Sequence, residues 1–179
     1  MTKLAPINKK GICKTAKWLA SPNFDARPTS DISLLVIHNI SLPPGEYDGN
    51  GVIELFTNCL DATAHPYYEK IAHLKVSSHF FIRRDGVLIQ FVSCLDRAWH
   101  AGASNFQGRE RCNDFSVGIE LEGCDDSVFE PTQYDTLNAL ICTLRKAYPI
   151  QDIVGHSDIA PGRKTDPGPY FDWTRINLI

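Results

Sequence analysis

The sequence contains no C-x-x-C pair, no long apolar run and no excess of basic residues, and each absence removes a class of function. Six cysteines stand singly at positions 13, 59, 94, 112, 124 and 142, so a cysteine-based zinc ribbon is excluded. The even count permits a disulfide framework. However, lysines at 3, 9, 10, 14 and 17 interrupt every apolar run near the start, and no export signal is expected to carry the chain into an oxidising compartment. Six reduced thiols in a cytoplasmic protein are therefore expected. No apolar run approaches the roughly 18 residues of a membrane span. The net charge of −3 and the pI of about 6.0 offer no basic face to nucleic acid or to an anionic membrane. A length of 179 residues suits one domain with a core that needs no covalent staples. Residues 1–30, polar and turn-rich, are expected as a surface segment, residues 31–179 as the folded domain proper, and the whole as a monomer.

The stretch from Gly155 to Gly168 gathers the richest chemistry: His156, Lys164 and Asp166 lie on one loop stiffened by Pro161, Gly162, Pro167 and Gly168. His156 and Asp166 are too far apart in sequence for one helical face, so only a folded-back loop brings both to one ion. The aliphatic pair Ile153-Val154 before Gly155 predicts a buried strand ending at His156. The run Ile32–Ile37 predicts a second buried strand, covered on both faces and ending at His38. Two such strand ends side by side would place two imidazoles at one edge of a sheet, and Asp166 would complete three ligands with an open fourth position, the pattern of catalytic zinc.

The remaining segments fill out an α/β domain. The turn-rich residues 42–51 follow His38 directly and are expected to border the metal as a substrate rim. Val52–Asn58 and the stretch from His65 to about Leu74 predict short helices, with His65 and His73 as ordinary polar residues. Residues 78–92 read as a β-hairpin about Asp85-Gly86, with Arg83 and Arg84 solvated. Trp99-His100 between small residues suits either a packed corner or an aromatic wall. In residues 115–123 Val117, Ile119 and Leu121 alternate with Gly118, Glu120 and Glu122, which leaves open which glutamate faces the site. Pro131–Tyr148 predicts the longest helix, with Thr132 and Asp135 as a capping box and Tyr134, Leu137, Ile141, Leu144 and Tyr148 as a core stripe.

Taken together, these motifs resemble the zinc N-acetylmuramoyl-L-alanine amidases of the phage-lysozyme and peptidoglycan-recognition-protein superfamily, over roughly Trp18 to Trp173. Within it they are most similar to the AmpD-type 1,6-anhydro-N-acetylmuramoyl-L-alanine amidases, a cytosolic family of cell-wall recycling. The resemblance is carried by residues 36–45, Ala98–Gly102, Gly108–Ser116, Gly118–Gly123 and the 155–168 loop. It implies a mixed central sheet flanked by helices, one zinc on His38, His156 and Asp166, Glu120 and Lys164 as the catalytic pair, and substrate contacts from Asn39, Trp99 and Arg111. The implied substrate is a small muropeptide, cut between muramic acid and L-alanine. A non-catalytic wall-binding module on the same fold is the rival class, and it typically loses a metal ligand, whereas all three are present. A wall-lytic amidase is the other, and it predicts an export signal or a wall-binding repeat.

Overall fold

The structure, a computed structural model, describes residues 3–177. A six-stranded mixed sheet runs through it. In chain order its elements are β1 (Lys17–Trp18), β2 (Phe24–Ala26), β3 (Leu34–Ile40), α1 (Gly51–Phe56), α2 (Pro66–Ile71), β4 (Phe80–Ile82) and β5 (Leu88–Gln90). They continue with β6 (Asp96–Ala98), β7 (Asn105–Phe106), β8 (Arg109–Glu110), β9 (Ser116–Glu122), α3 (Pro131–Ala147), β10 (Asp152–Gly155) and α4 (His156–Ile159). The sheet order is β1-β5-β4-β9-β3-β10, while β2 pairs with β6 and β7 with β8 apart from it. The run β4-β9-β3-β10 is parallel throughout; β5 is antiparallel to β4 and β1 parallel to β5.

The aliphatic character of β3 follows from its central place. Leu34, Leu35, Val36 and Ile37 are all at most 1% exposed, as a strand covered on both faces requires. On one face Leu35 and Ile37 join Phe80, Ile82, Val117, Ile119 and Leu121 against Leu137, Leu140, Ile141 and Leu144 of α3. Truncating Leu137 or Leu140 to alanine at such a seam costs about 2–5 kcal/mol. On the other face Phe81, Ile89 and Phe91 meet Val52, Leu55 and Phe56 of α1 and Tyr68 of α2. The alternation of β9 therefore sends Val117, Ile119 and Leu121 to the α3 side and leaves Gly118, Glu120 and Glu122 on the side where the chemistry lies.

Some local expectations needed tertiary correction. The hairpin about Gly86 forms, but its strands are only Phe80–Ile82 and Leu88–Gln90. The cap of α3 is Glu130, whose amide donates to Gln133 Oε1 at 3.0 Å, while Thr132 Oγ1 donates to the Arg84 carbonyl. Arg83 and Arg84 are not solvated: each side chain is only 16% exposed, and the Arg84 guanidinium lies 4.6 Å above the Tyr47 ring. The first thirty residues are tied in more deeply than a surface wrap. They supply the edge strand β1, bury Cys13, Ser21 and Asn23, and send the Arg27 guanidinium to the carbonyls of Cys94, Asn113, Asp114 and Ser116. No helix among the described residues is long and apolar enough to cross a membrane.

Candidate metal centre and active site

Register builds the site. In the parallel pair β10·β3, Gly155 stands beside Ile37, so the next residues, His156 just past the end of β10 and His38 two residues before the end of β3, stand side by side. On the other flank of β3, His38 is in register with Glu120 of β9. The 155–168 stretch is not all loop, since His156 opens the one-turn α4, but it folds back so that the Ser157 amide donates to the Asp166 carbonyl at 2.9 Å. That return brings the Asp166 carboxylate between the two imidazoles.

The three side chains converge through specific atoms. His38 Nδ1 and His156 Nδ1 are 3.0 Å apart, and Asp166 Oδ2 lies 2.9 Å from the first and 3.0 Å from the second. His156 Nε2 is 3.0 Å from the Ala101 carbonyl, which can only accept, so this nitrogen carries the ring proton and Nδ1 presents a lone pair to the carboxylate. A lone pair aimed at an anion calls for a cation. Around a tetrahedral zinc with ligand distances of about 2.0–2.2 Å, neighbouring ligand atoms stand about 3.3–3.6 Å apart, close to the spacing found. The donor set of two imidazoles and one carboxylate therefore fits a divalent metal with a position left over.

Electrostatics agree with ligand duty, which requires neutral imidazole and ionised carboxylate. Burial holds the His38 ring down to about 4, against the opposing pull of Asp166. For Asp166 burial pushes upward, but the contacts with His156 and His38 outweigh it and hold the carboxyl well below the usual carboxylate range.

Two glutamates share the face, and their neighbours separate them. Glu122 accepts the Asp48 amide on Oε1 and the Arg84 amide on Oε2, both at 3.0 Å, so its carboxylate is consumed in pinning two loops. Glu120 is 8% exposed, and its Oε2 has no hydrogen-bond partner. Burial first, and then the Asp166 charge, push its carboxyl well above the ordinary range. A buried carboxyl with an unused oxygen and raised proton affinity beside a metal-type cluster is what acid–base chemistry needs.

A cavity of about 350 Å³ opens over this cluster, lined by His38, Glu120, His156, Lys164 and Asp166 with Asn39 and Trp99, within the roughly 300–1,000 Å³ of small-molecule sites. Leu42 and Pro44 of the loop after β3 border it, as do Tyr67, Ile71 and Leu74 in and beyond α2. Asn39 spends its amide donors on Asp125 Oδ1 and the Pro167 carbonyl, which ties the Asp166 loop to β3. The Trp99 indole is held by Asp25 at 3.3 Å. Arg111 does not line the cavity; its side chain is 69% exposed and 3.4 Å from Asp114. Sequence reasoning passed over the apolar wall from α2 and gave His100 no role beyond that of a neighbour to Trp99. His100 Nδ1 is 3.0 Å from His38 Nε2, and its only signal in sequence is a histidine set between Trp99 and two small residues. His65 is an ordinary polar residue that accepts the Tyr67 amide at the start of α2.

The chain is similar to known proteins over most of its length. A family model for N-acetylmuramoyl-L-alanine amidases matches residues 28–169. The 1,6-anhydro-N-acetylmuramyl-L-alanine amidase AmpD of Escherichia coli is 53% identical over 92% of this chain and 91% of its own length. The Haemophilus influenzae protein of the same name is 51% identical over 98% and 97%. A crystal structure of an AmpD selenomethionine derivative superposes with a TM-score of 0.91 at 54% identity, covering 93% of this chain and 95% of that one. With both its length and its fold shared in this way, the chain belongs to the N-acetylmuramoyl-L-alanine amidases, on their AmpD-type branch.

Proposed function

We propose that the protein binds one zinc through His38, His156 and Asp166 and hydrolyses the amide between the lactyl carbonyl of N-acetylmuramic acid, preferentially in its 1,6-anhydro form, and L-alanine. It acts on soluble muropeptides during peptidoglycan recycling. The observation that carries this is the three-donor cluster set beside a buried glutamate with an unused oxygen at the floor of one cavity. Zinc held there supplies positive charge that lowers the pKa of water toward about 7 and polarises a carbonyl oxygen.

The chain's own groups do the rest. Glu120 takes a proton from the attacking water on its unpaired Oε2 and passes it to the leaving nitrogen of L-alanine; its raised proton affinity suits both halves of that transfer. Lys164, on the cavity wall, stabilises the negative charge that builds on the carbonyl oxygen in the tetrahedral intermediate. Trp99 offers an apolar face to the sugar, whose anhydro bridge removes a hydroxyl. Asn39 holds the metal loop and presents its remaining oxygen to the substrate. Arg111 pairs from outside the cavity with a carboxylate of the stem peptide. In this reading the enzyme works as a monomer in the cytoplasm, where soluble fragments rather than the polymeric wall are its substrate. Turnover of an anhydromuramoyl peptide compared with polymeric peptidoglycan tests the reading. A much higher kcat/KM is expected for the soluble fragment, and equal values would favour an enzyme of the intact wall.

A further inference from the structure

We infer that His100 is a positioning residue that dictates which nitrogen of His38 faces the metal. With the Ala101 carbonyl, it makes the turn at 100–101 the template for both histidine ligands. The inference rests on the metal-centre reading above and adds to it His100 and Ser116, to which that reading gives no role.

The argument is a proton count along a chain of hydrogen bonds. Ser116 Oγ lies 2.6 Å from the Cys112 carbonyl, which can only accept, so the hydroxyl proton is committed there. The other close partner of Ser116 Oγ is His100 Nε2 at 3.2 Å, and this nitrogen must donate, because the serine proton is already spent. In the neutral ring His100 Nδ1 is then an acceptor. It stands 3.0 Å from His38 Nε2, which must carry the proton of its own ring. His38 Nδ1 is left as a lone pair, on the atom that faces His156 Nδ1 and Asp166 Oδ2. One backbone carbonyl thus sets the tautomer of a ligand two side chains away. On the other ligand the Ala101 carbonyl does the same work directly through His156 Nε2.

The support is built to hold this turn in place. Asn113 Oδ1 accepts the amides of His100 and Ala101 at 3.2 and 2.8 Å, and Arg163 donates to the Ala101 carbonyl at 2.8 Å. The His100 ring lies edge-on to His38, with centroids 5.1 Å apart and planes at 85°. It also sits directly against β9: a Cβ at position 118 would come within 2.5 Å of His100 Cγ and 2.7 Å of its Nδ1. Gly118 is therefore the residue that lets the ring reach its place. An outer partner that fixes a ligand's tautomer and raises its basicity is worth roughly 10–100-fold in metal affinity.

The test uses the full-length protein and zinc itself. His100→Leu fills the space without an acceptor, whereas His100→Asn keeps an oxygen near the position of Nδ1. Zinc affinity, read by competition with a chromophoric chelator, is expected to fall roughly 10–100-fold in His100→Leu, while His100→Asn recovers most of it. Long-range ¹H–¹⁵N spectra of the zinc-loaded wild type are expected to show His38 bound through Nδ1 with its proton on Nε2. Unchanged affinity in His100→Leu, a loss in His100→Asn as large as in His100→Leu, or His38 bound through Nε2 would each overturn the inference. If His100→Leu fails to fold, the spectra and His100→Asn decide. A wild-type protein that takes up no zinc would instead overturn the metal-centre reading, a result visible before any variant is compared.

Discussion

Replacing Glu120 and Glu122 separately by glutamine should produce opposite phenotypes, although the two share one strand face. Both carboxylate oxygens of Glu122 accept backbone amides at 3.0 Å, and its side chain is 3% exposed. The amide variant keeps one acceptor but turns an N–H toward the other backbone N–H. The lost charge-assisted bond costs about 1.5–3 kcal/mol and the unpaired donor about 1–3 kcal/mol, so Glu122→Gln should lose about 2.5–6 kcal/mol of stability in all. Glu120 Oε2 has no partner to lose, and a neutral amide there removes a buried carboxyl that burial already disfavours in its charged form. Glu120→Gln should therefore stay within about 1 kcal/mol of wild type in stability while turnover falls about 10²–10⁴-fold. Urea unfolding read beside initial rates on an anhydromuramoyl peptide separates the two. The reasoning is refuted if Glu122→Gln, corrected for its folded fraction, is the slower enzyme, or if Glu120→Gln is the less stable protein.

Two further outcomes follow from burial. All six cysteines are free, so six thiols should titrate in protein denatured without reductant. In the native state exposed Cys59 and Cys142 should react first, and Cys94, pushed up to about 12 by burial, should react only on unfolding; a native disulfide would contradict this. Fully buried His79 is held well below 6.5, first by burial and then by the Arg27 cation. Below that pH the unfolded chain takes up a proton that the folded ring refuses. From this one group stability should then fall with falling pH by about 1.4 kcal/mol per unit; His38 and His100, also held down by burial, add to the slope, so His79→Gln should reduce it by that amount, and an unchanged slope there would assign the effect elsewhere.

What the sequence made legible was whatever its local patterns control. The aliphatic runs before His38 and His156 announced two strands, though only β3 is buried: β10 lies at the sheet edge with Ile153 and Val154 half-buried, and the common ending in histidine anticipated the parallel register that sets the rings together. The stripe of α3 was equally plain. Legibility stopped where partners come from far along the chain. Choosing between Glu120 and Glu122 needs the amides of Asp48 and Arg84, which belong to two separate loops. The place of His100 depends on Gly118 and Ser116 in β9. The depth of the first thirty residues depends on carbonyls that Arg27 reaches 67 to 89 positions away. None of these leaves a periodicity to read.

The central claim, that His38, His156 and Asp166 form a zinc centre on which hydrolysis depends, is tested most directly by titrating zinc into chelator-treated protein. Release of L-alanyl peptide from an anhydromuramoyl peptide is followed as the metal is added. The fold should survive chelation, because a core of this size does not depend on the metal. Activity should rise in proportion to added zinc and level off at one equivalent in the wild type, and should stay near zero in Asp166→Ala. Full turnover by the metal-free protein, or an Asp166→Ala enzyme that fills with zinc and works normally, would contradict the account.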